Sequence, residues 1–147
     1  MTAHYTSKHG TVSKSPEELY MAFTDLSNFA RMAPPQLRDS ITADFDTLRA
    51  TVQGFTIGVR VDDRQPYRLI RIGSSESPVE FVAVLHFEPA AGFSGKTDFS
   101  IDLDANLNFM MKTFLGSKLQ QALDKIVDSL VDISEGRMPE GMPSDMV

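Results

Sequence analysis

Between residues 39 and 104, apolar side chains recur at every second position. Ile41, Ala43 and Phe45 alternate with polar residues, as do Leu48, Ala50 and Val52. Phe55, Ile57, Val59 and Val61 alternate with Thr56, Gly58, Arg60 and Asp62. "YRLIRI" follows the turn-prone "DDRQP", and Val79, Phe81, Ala83, Leu85 and Phe87 then share one face. Phe99, Ile101 and Leu103 alternate with Asp98, Ser100, Asp102 and Asp104. Side chains of a strand point to opposite faces in turn, so period two marks strands with one face buried. About six consecutive strands emerge, separated by turns containing Gly, Pro, Asp or Ser. They predict an antiparallel meander with one face on a core and the other in water.

The period differs at both ends of this meander. Residues 5–12, rich in β-branched and aromatic side chains, read as a first strand. "SKSPEELYMAF" ends it. There Ser15 can cap a helix, Pro16 suits the first helical position, and Glu18 completes a capping box. Leu19, Phe23 and Leu26 follow at helical spacing. A second start at Asp25 or Ser27 carries Phe29 and Met32, and Pro34-Pro35 closes it. Two short abutting helices are predicted. After residue 116, an apolar stripe of Leu119, Ala122, Leu123, Ile126, Val127, Leu130 and Ile133 predicts a long amphipathic helix ending near Gly136. "RMPEGMPSDMV" has too little patterning to fold alone and reads as a tail.

A one-sided sheet and a long amphipathic helix each need a partner, and laying one across the other satisfies both. The expected class is α+β. The order of elements, with "SPEELYMAFTDLSNFARMAP" after the first strand and "LDANLNFMMKTFLGSKLQQALDKIVDSL" at the end, resembles the helix-grip fold. That fold belongs to the START and Bet v 1-like superfamily, the SRPBCC or polyketide cyclase-like group. The Asn-Leu-Asn and Met-rich approach to the last helix is similar to that of a bacterial subgroup. The resemblance covers about residues 3–134. It implies a single domain over residues 1–134 with a tail at 135–147, and a curved sheet of about seven strands wrapped around the C-terminal helix. It also implies a cavity between sheet and helix that takes sterols, lipids, aromatic polyketides or other apolar molecules.

Composition narrows the function further. The 147 residues suit one domain large enough to hold a core and a cavity. A formal net charge of -6 argues against nucleic acid as the partner, because phosphate recognition needs clustered Lys and Arg. The absence of cysteine excludes disulfides, thiolate nucleophiles and zinc-thiolate sites. "MTAHYTSKHG" contains no stretch like a signal peptide, and the longest apolar run, residues 81–85, is far too short to span a bilayer. Cytoplasm is the expected compartment.

Candidate chemistry is sparse. The stretch "NLNFMMKTFLG" can place Leu107, Met111, Phe114 and Leu115 on one helical face with Met110 alongside. These residues either close the core at the end of the sheet or line the mouth of a cavity, where the flexible thioethers of Met suit varied apolar shapes. Gly116 is a poor helix-interior residue, and Ser117 with Gln120 forms another capping signature, so a kink or break is expected there. His4 and His9 lie five residues apart in one strand, which points them to opposite faces; His86 alternates towards solvent. No metal set converges. "DLDANL" opens like a calcium loop but has Leu107 where Gly is required and Thr113 where a bidentate Glu is needed. The aspartates of the last strand instead form a solvated face opposite basic residues. Among Arg60, Arg68 and Arg71, one inward-facing side chain could grip a ligand carboxylate or phosphate, while surface pairing is the plainer role. No serine has the setting of a nucleophile.

The expected function is binding or transport of a small hydrophobic ligand, lipid-like or aromatic, without cofactor or metal. The wall is expected to comprise Phe29, Met32, Ile57, Val59, Phe81, Leu85, Met111 and Phe114, with Arg68 or Tyr67 orienting the ligand. A cyclase- or aromatase-type enzyme using the same cavity is the alternative, and it needs a titratable pair inside. A module that binds a protein partner with a filled core is the third reading.

Overall fold

The computed structural model describes residues 2–32, 35–52, 54–92 and 95–136. Tail residues 137–147 lie outside the described residues. The chain begins with β1 (Thr2–Thr6) and β2 (Gly10–Val12), then α1 (Pro16–Thr24), α2 (Ser27–Met32) and α3 (Pro35–Arg38). The meander follows as β3 (Ile41–Ala43), β4 (Thr47–Val52), β5 (Phe55–Gln65), β6 (Leu69–Glu76), β7 (Phe81–Pro89) and β8 (Thr97–Asn106), and α4 (Phe109–Ser134) ends the fold. The strands form one antiparallel sheet in the order β1-β8-β7-β6-β5-β4-β3, with β2 also paired to β8. The sheet is curved, and α4 packs against it.

Local signals set the helices. Ser15 accepts from the Glu18 N–H at 3.2 Å, the Glu18 carboxylate accepts from the Ser15 N–H, and Pro16 opens α1, so the capping box forms as expected. The expected two short helices are joined by a third helical turn, because Pro35 suits the first position of α3 as well as it ends α2.

The first strand is interrupted. In β1, Thr6 faces Asp102 of β8, whereas in β2 Gly10 faces Phe99. One extra residue is thus accommodated between them, as in a bulge. That insertion reverses the alternation. His4 and His9 therefore lie on the same face of the sheet rather than on opposite faces, His4 bonded to Asp104 and His9 to Asp98.

The break expected at Gly116 is absent. Helix α4 runs without interruption for 26 residues, and its cap is Asn108, whose Oδ1 accepts from the Met111 N–H at 2.8 Å. Gly116 has a packing reason instead of a hinge. A Cβ there would stand 3.1 Å from the Tyr5 hydroxyl on β1.

The core fills one half of the space between sheet and helix. Phe23 stacks on Phe29, Phe87 and Phe99, with centroids 5.3–6.0 Å apart, and Tyr20 meets Phe87 edge-on. Val12, Ile70, Ile101, Leu123 and Val127 close around these rings. Only part of the predicted stripe of α4 enters this core. Ile126 and Ile133 stay half exposed and, with Phe23 and Leu130, line a shallow groove of about 470 Å³.

Candidate ligand-binding cavity

The other half of the sheet-helix space is not filled. A second, smaller buried group of Ala3, Ala105 and Leu107 supports its floor. Inward positions of β8 contribute Leu103 and Ala105, and Leu107 follows on the way into α4. The start of α4 contributes Met111, Leu115 and Leu119, one per turn on a single stripe. Phe55 and Ile57 of β5 and Phe81 of β7 form the far wall, joined by Ser77, Pro78 and Val79 from the β6–β7 connection. Together they enclose an open cavity of about 760 Å³. Phe55, Ile57 and Leu115 are exposed at its rim.

The lining is chemically plain. Among the described residues, Ser77 is its one residue with a polar side chain, and the Ser77 hydroxyl accepts from the Val79 N–H at 3.2 Å. None of the described residues that line the cavity is titratable.

The residues expected from sequence divide into two sets. Ile57, Phe81 and Met111 meet at the cavity. Phe29 stacks on Phe23, and Leu85 packs against the aromatic core. Val59 is half-buried on β5 opposite Leu48 and Ser74. Phe114 lies on the outer side of α4, 67% exposed beside Phe109 and Met110. The side chain of Met32 is outside the described residues. Tyr67, in a turn at φ 66°, sets its ring edge against Tyr20 at 5.5 Å. Arg68 is exposed in the same turn.

The arginine that does turn inward was not among the candidates. Register shifts in β5 lie between Gly58 and Val59 and between Val61 and Asp63, and the second moves Arg64 onto the face of Ile70. Its guanidinium donates to the Thr24 hydroxyl at 2.7 Å, the Thr24 carbonyl at 2.9 Å and the Phe45 carbonyl at 3.2 Å. It also pairs with Asp46 at 2.8 Å and lies over the Phe45 ring. Each of its three nitrogens is engaged within the protein, so Arg64 positions α1 against the sheet.

The aspartates on the outer face of β8 hold the histidines of the neighbouring chain segments. His4 Nδ1 lies 2.7 Å from Asp104, and His86 Nε2 lies 2.8 Å from Asp102, which also accepts from the Thr6 hydroxyl. Hydrogen bonding to Asp104 raises the His4 pKa above its ordinary value. Burial acts to raise that of Asp102, but hydrogen bonds from Thr6 and His86 outweigh it and lower it overall. Among the described residues no group of three or more His, Asp or Glu is arranged to hold a metal.

No protein-family model matches this sequence, and no curated protein is similar to it. Solved structures do match in shape. Truncated norcoclaurine synthase from Thalictrum flavum superposes with a TM-score of 0.67 at 13% identity, covering 92% of each chain. Ara h 8.0201 gives 0.58 at 11% identity over 93% of this chain and 100% of its own. The protein DR_A0006 from Deinococcus radiodurans gives 0.51 at 17% identity over 85% and 98%. The chain has a helix-grip fold, shared with these structures. At these identities the likeness concerns the fold, and chemistry has to be argued from the site.

Within the helix-grip frame the sequence signal for the missed lining residues is visible. Met111, Leu115 and Leu119 recur every four residues, which selects Leu115 over Phe114 once the helix is continuous. Among the described residues no helix is long and apolar enough to cross a membrane.

Proposed function

We propose that this helix-grip chain binds a small, neutral, apolar molecule between α4 and strands β5, β7 and β8. The observation that carries this reading is the cavity of about 760 Å³ whose twelve described lining residues include one polar side chain. Its size falls within the range of sites for small molecules, roughly 300–1,000 Å³. Each 100 Å² of ligand apolar surface withdrawn from water contributes roughly 2.5 kcal/mol before the costs of association.

A charged ligand is disfavoured, since among the described residues no lysine or arginine lines the cavity to compensate a buried carboxylate. Binding without catalysis is favoured for a related reason. Proton transfer needs a positioned titratable group, and the described lining residues hold none. Norcoclaurine synthase, a structural neighbour, was solved in complex with dopamine and hydroxybenzaldehyde. That precedent supports a frame able to hold small aromatic molecules, and it leaves the chemistry of this chain to its own residues.

The test is native mass spectrometry of protein exposed to an organic-solvent extract of cells and repurified. One neutral adduct per chain is expected on the wild type and none on Leu115→Arg, which places a charge at the rim. Protein that emerges without any adduct contradicts the proposal.

A further inference from the structure

Ser77, in the β6–β7 connection, is the one polar side chain among the described lining residues, and a second polar group stands next to the cavity. Among the described residues, the Tyr5 hydroxyl is the buried side-chain oxygen that makes no hydrogen bond. Tyr5 sits on β1 opposite Leu103 of the cavity wall. It packs on the Ala3, Ala105 and Leu107 group together with Val79, Phe81, Met111 and Leu119. Apart from Ala3, every residue of that set other than Tyr5 lines the cavity. Its hydroxyl reaches α4 at Gly116, between Leu115 and Leu119, where the missing side chain leaves room for it.

A phenylalanine would fill this position without an unpaired hydroxyl, and an unpaired buried donor is unfavourable. We infer that the Tyr5 hydroxyl is the polar anchor of the cavity and selects apolar ligands carrying a single hydroxyl or carbonyl. The inference rests on the binding function proposed above and adds the ligand's chemical class. A phenol both donates and accepts, so neutral alcohols, phenols and ketones all suit it. Pure hydrocarbons leave it unpaired, and carboxylates would be buried without a countercharge. Small adjustments of Met111 or Leu119 bring the ligand's oxygen to the hydroxyl, and Met is the more adaptable of the two.

Titration of wild type and Tyr5→Phe with naphthalene and 2-naphthol, followed by probe fluorescence, tests the assignment. The wild type is expected to prefer 2-naphthol, and Tyr5→Phe to weaken 2-naphthol about fivefold while leaving naphthalene within about twofold. If both probes bind and the substitution affects neither, the anchor is overturned and the binding function stands. If neither probe binds the wild type, both fall. Ligand-free melting gives a second readout. Tyr5→Phe should melt at or above the wild-type temperature, and a drop of several degrees would mean that the hydroxyl is bonded in the free protein, which also overturns the anchor.

Discussion

Gly10 of β2 lies beneath Val127 of α4 with no room for a side chain. A Cβ at Gly10 would stand 2.6 Å from one Val127 methyl and 2.8 Å from a methyl of Val131. Val127 is fully buried, and a β-branched side chain in a helix has one strongly preferred rotamer, so the clash is not easily relieved. Gly10→Ala should therefore cost about 1–3 kcal/mol in urea unfolding. An unchanged midpoint would mean that α4 does not press on β2 as described.

Continuity of α4 through Gly116 gives opposite expectations for two capping-type residues. Asn108 accepts from the Met111 N–H, so Asn108→Ala should lose about 1 kcal/mol. Ser117 lies inside the helix, and Ser117→Ala should change stability by less than about 0.5 kcal/mol. A break before Ser117 would reverse the order of the two losses.

Arg64 ties the end of α1 and the β3–β4 turn to β5 through its bonds to Thr24, Phe45 and Asp46. Arg64→Met keeps the bulk but removes hydrogen bonds from a charged donor, at a cost of about 1.5–3 kcal/mol. Arg64→Lys should recover little of that, because an ammonium cannot reproduce the planar fork. Thermal melting of both variants checks this, and a lysine variant indistinguishable from wild type would refute it.

The pairs on the outer face of β8 give stability a pH dependence. The His4 pKa is raised, so its contribution is complete below the ordinary 6.5 and is lost as pH rises through the folded value. The Asp102 pKa is lowered, so its contribution is present above the ordinary 3.8 and is lost as pH falls through the folded value. His4→Gln should thus lower the melting temperature more at about pH 5.5 than at about pH 8.5. Added salt should shrink the difference, because these pairs face water. Equal losses at both pH values would show that the Asp104 contact does not favour the imidazolium.

Alternation made the meander legible in the sequence, and the Ser15–Glu18 box made α1 legible. Periodicity reports which residues share a face but not which part of that face is filled. Leu85 shared the inward alternation of Ile57 and Phe81, yet Phe23, Phe87 and Phe99 fill its end of the sheet and leave the other end open. Bulges hid the rest. A one-residue register shift turned Arg64 inward and brought His9 to the side of His4, and strict alternation cannot register either change. Gly116 misled for a different reason. Its capping-like neighbours imitate a helix start, while the residue serves the close approach of Tyr5, a contact separated by most of the chain.

The central claim is that the open half of the helix-grip space takes an apolar ligand. Fluorescence titration with N-phenyl-1-naphthylamine, a neutral apolar dye, tests it most directly. Saturable one-to-one enhancement is expected for the wild type, with at least about tenfold weaker binding by Leu115→Arg and unchanged binding by Phe114→Arg on the outer side of α4. Equal binding by all three proteins, or no saturable binding by the wild type, would contradict the account.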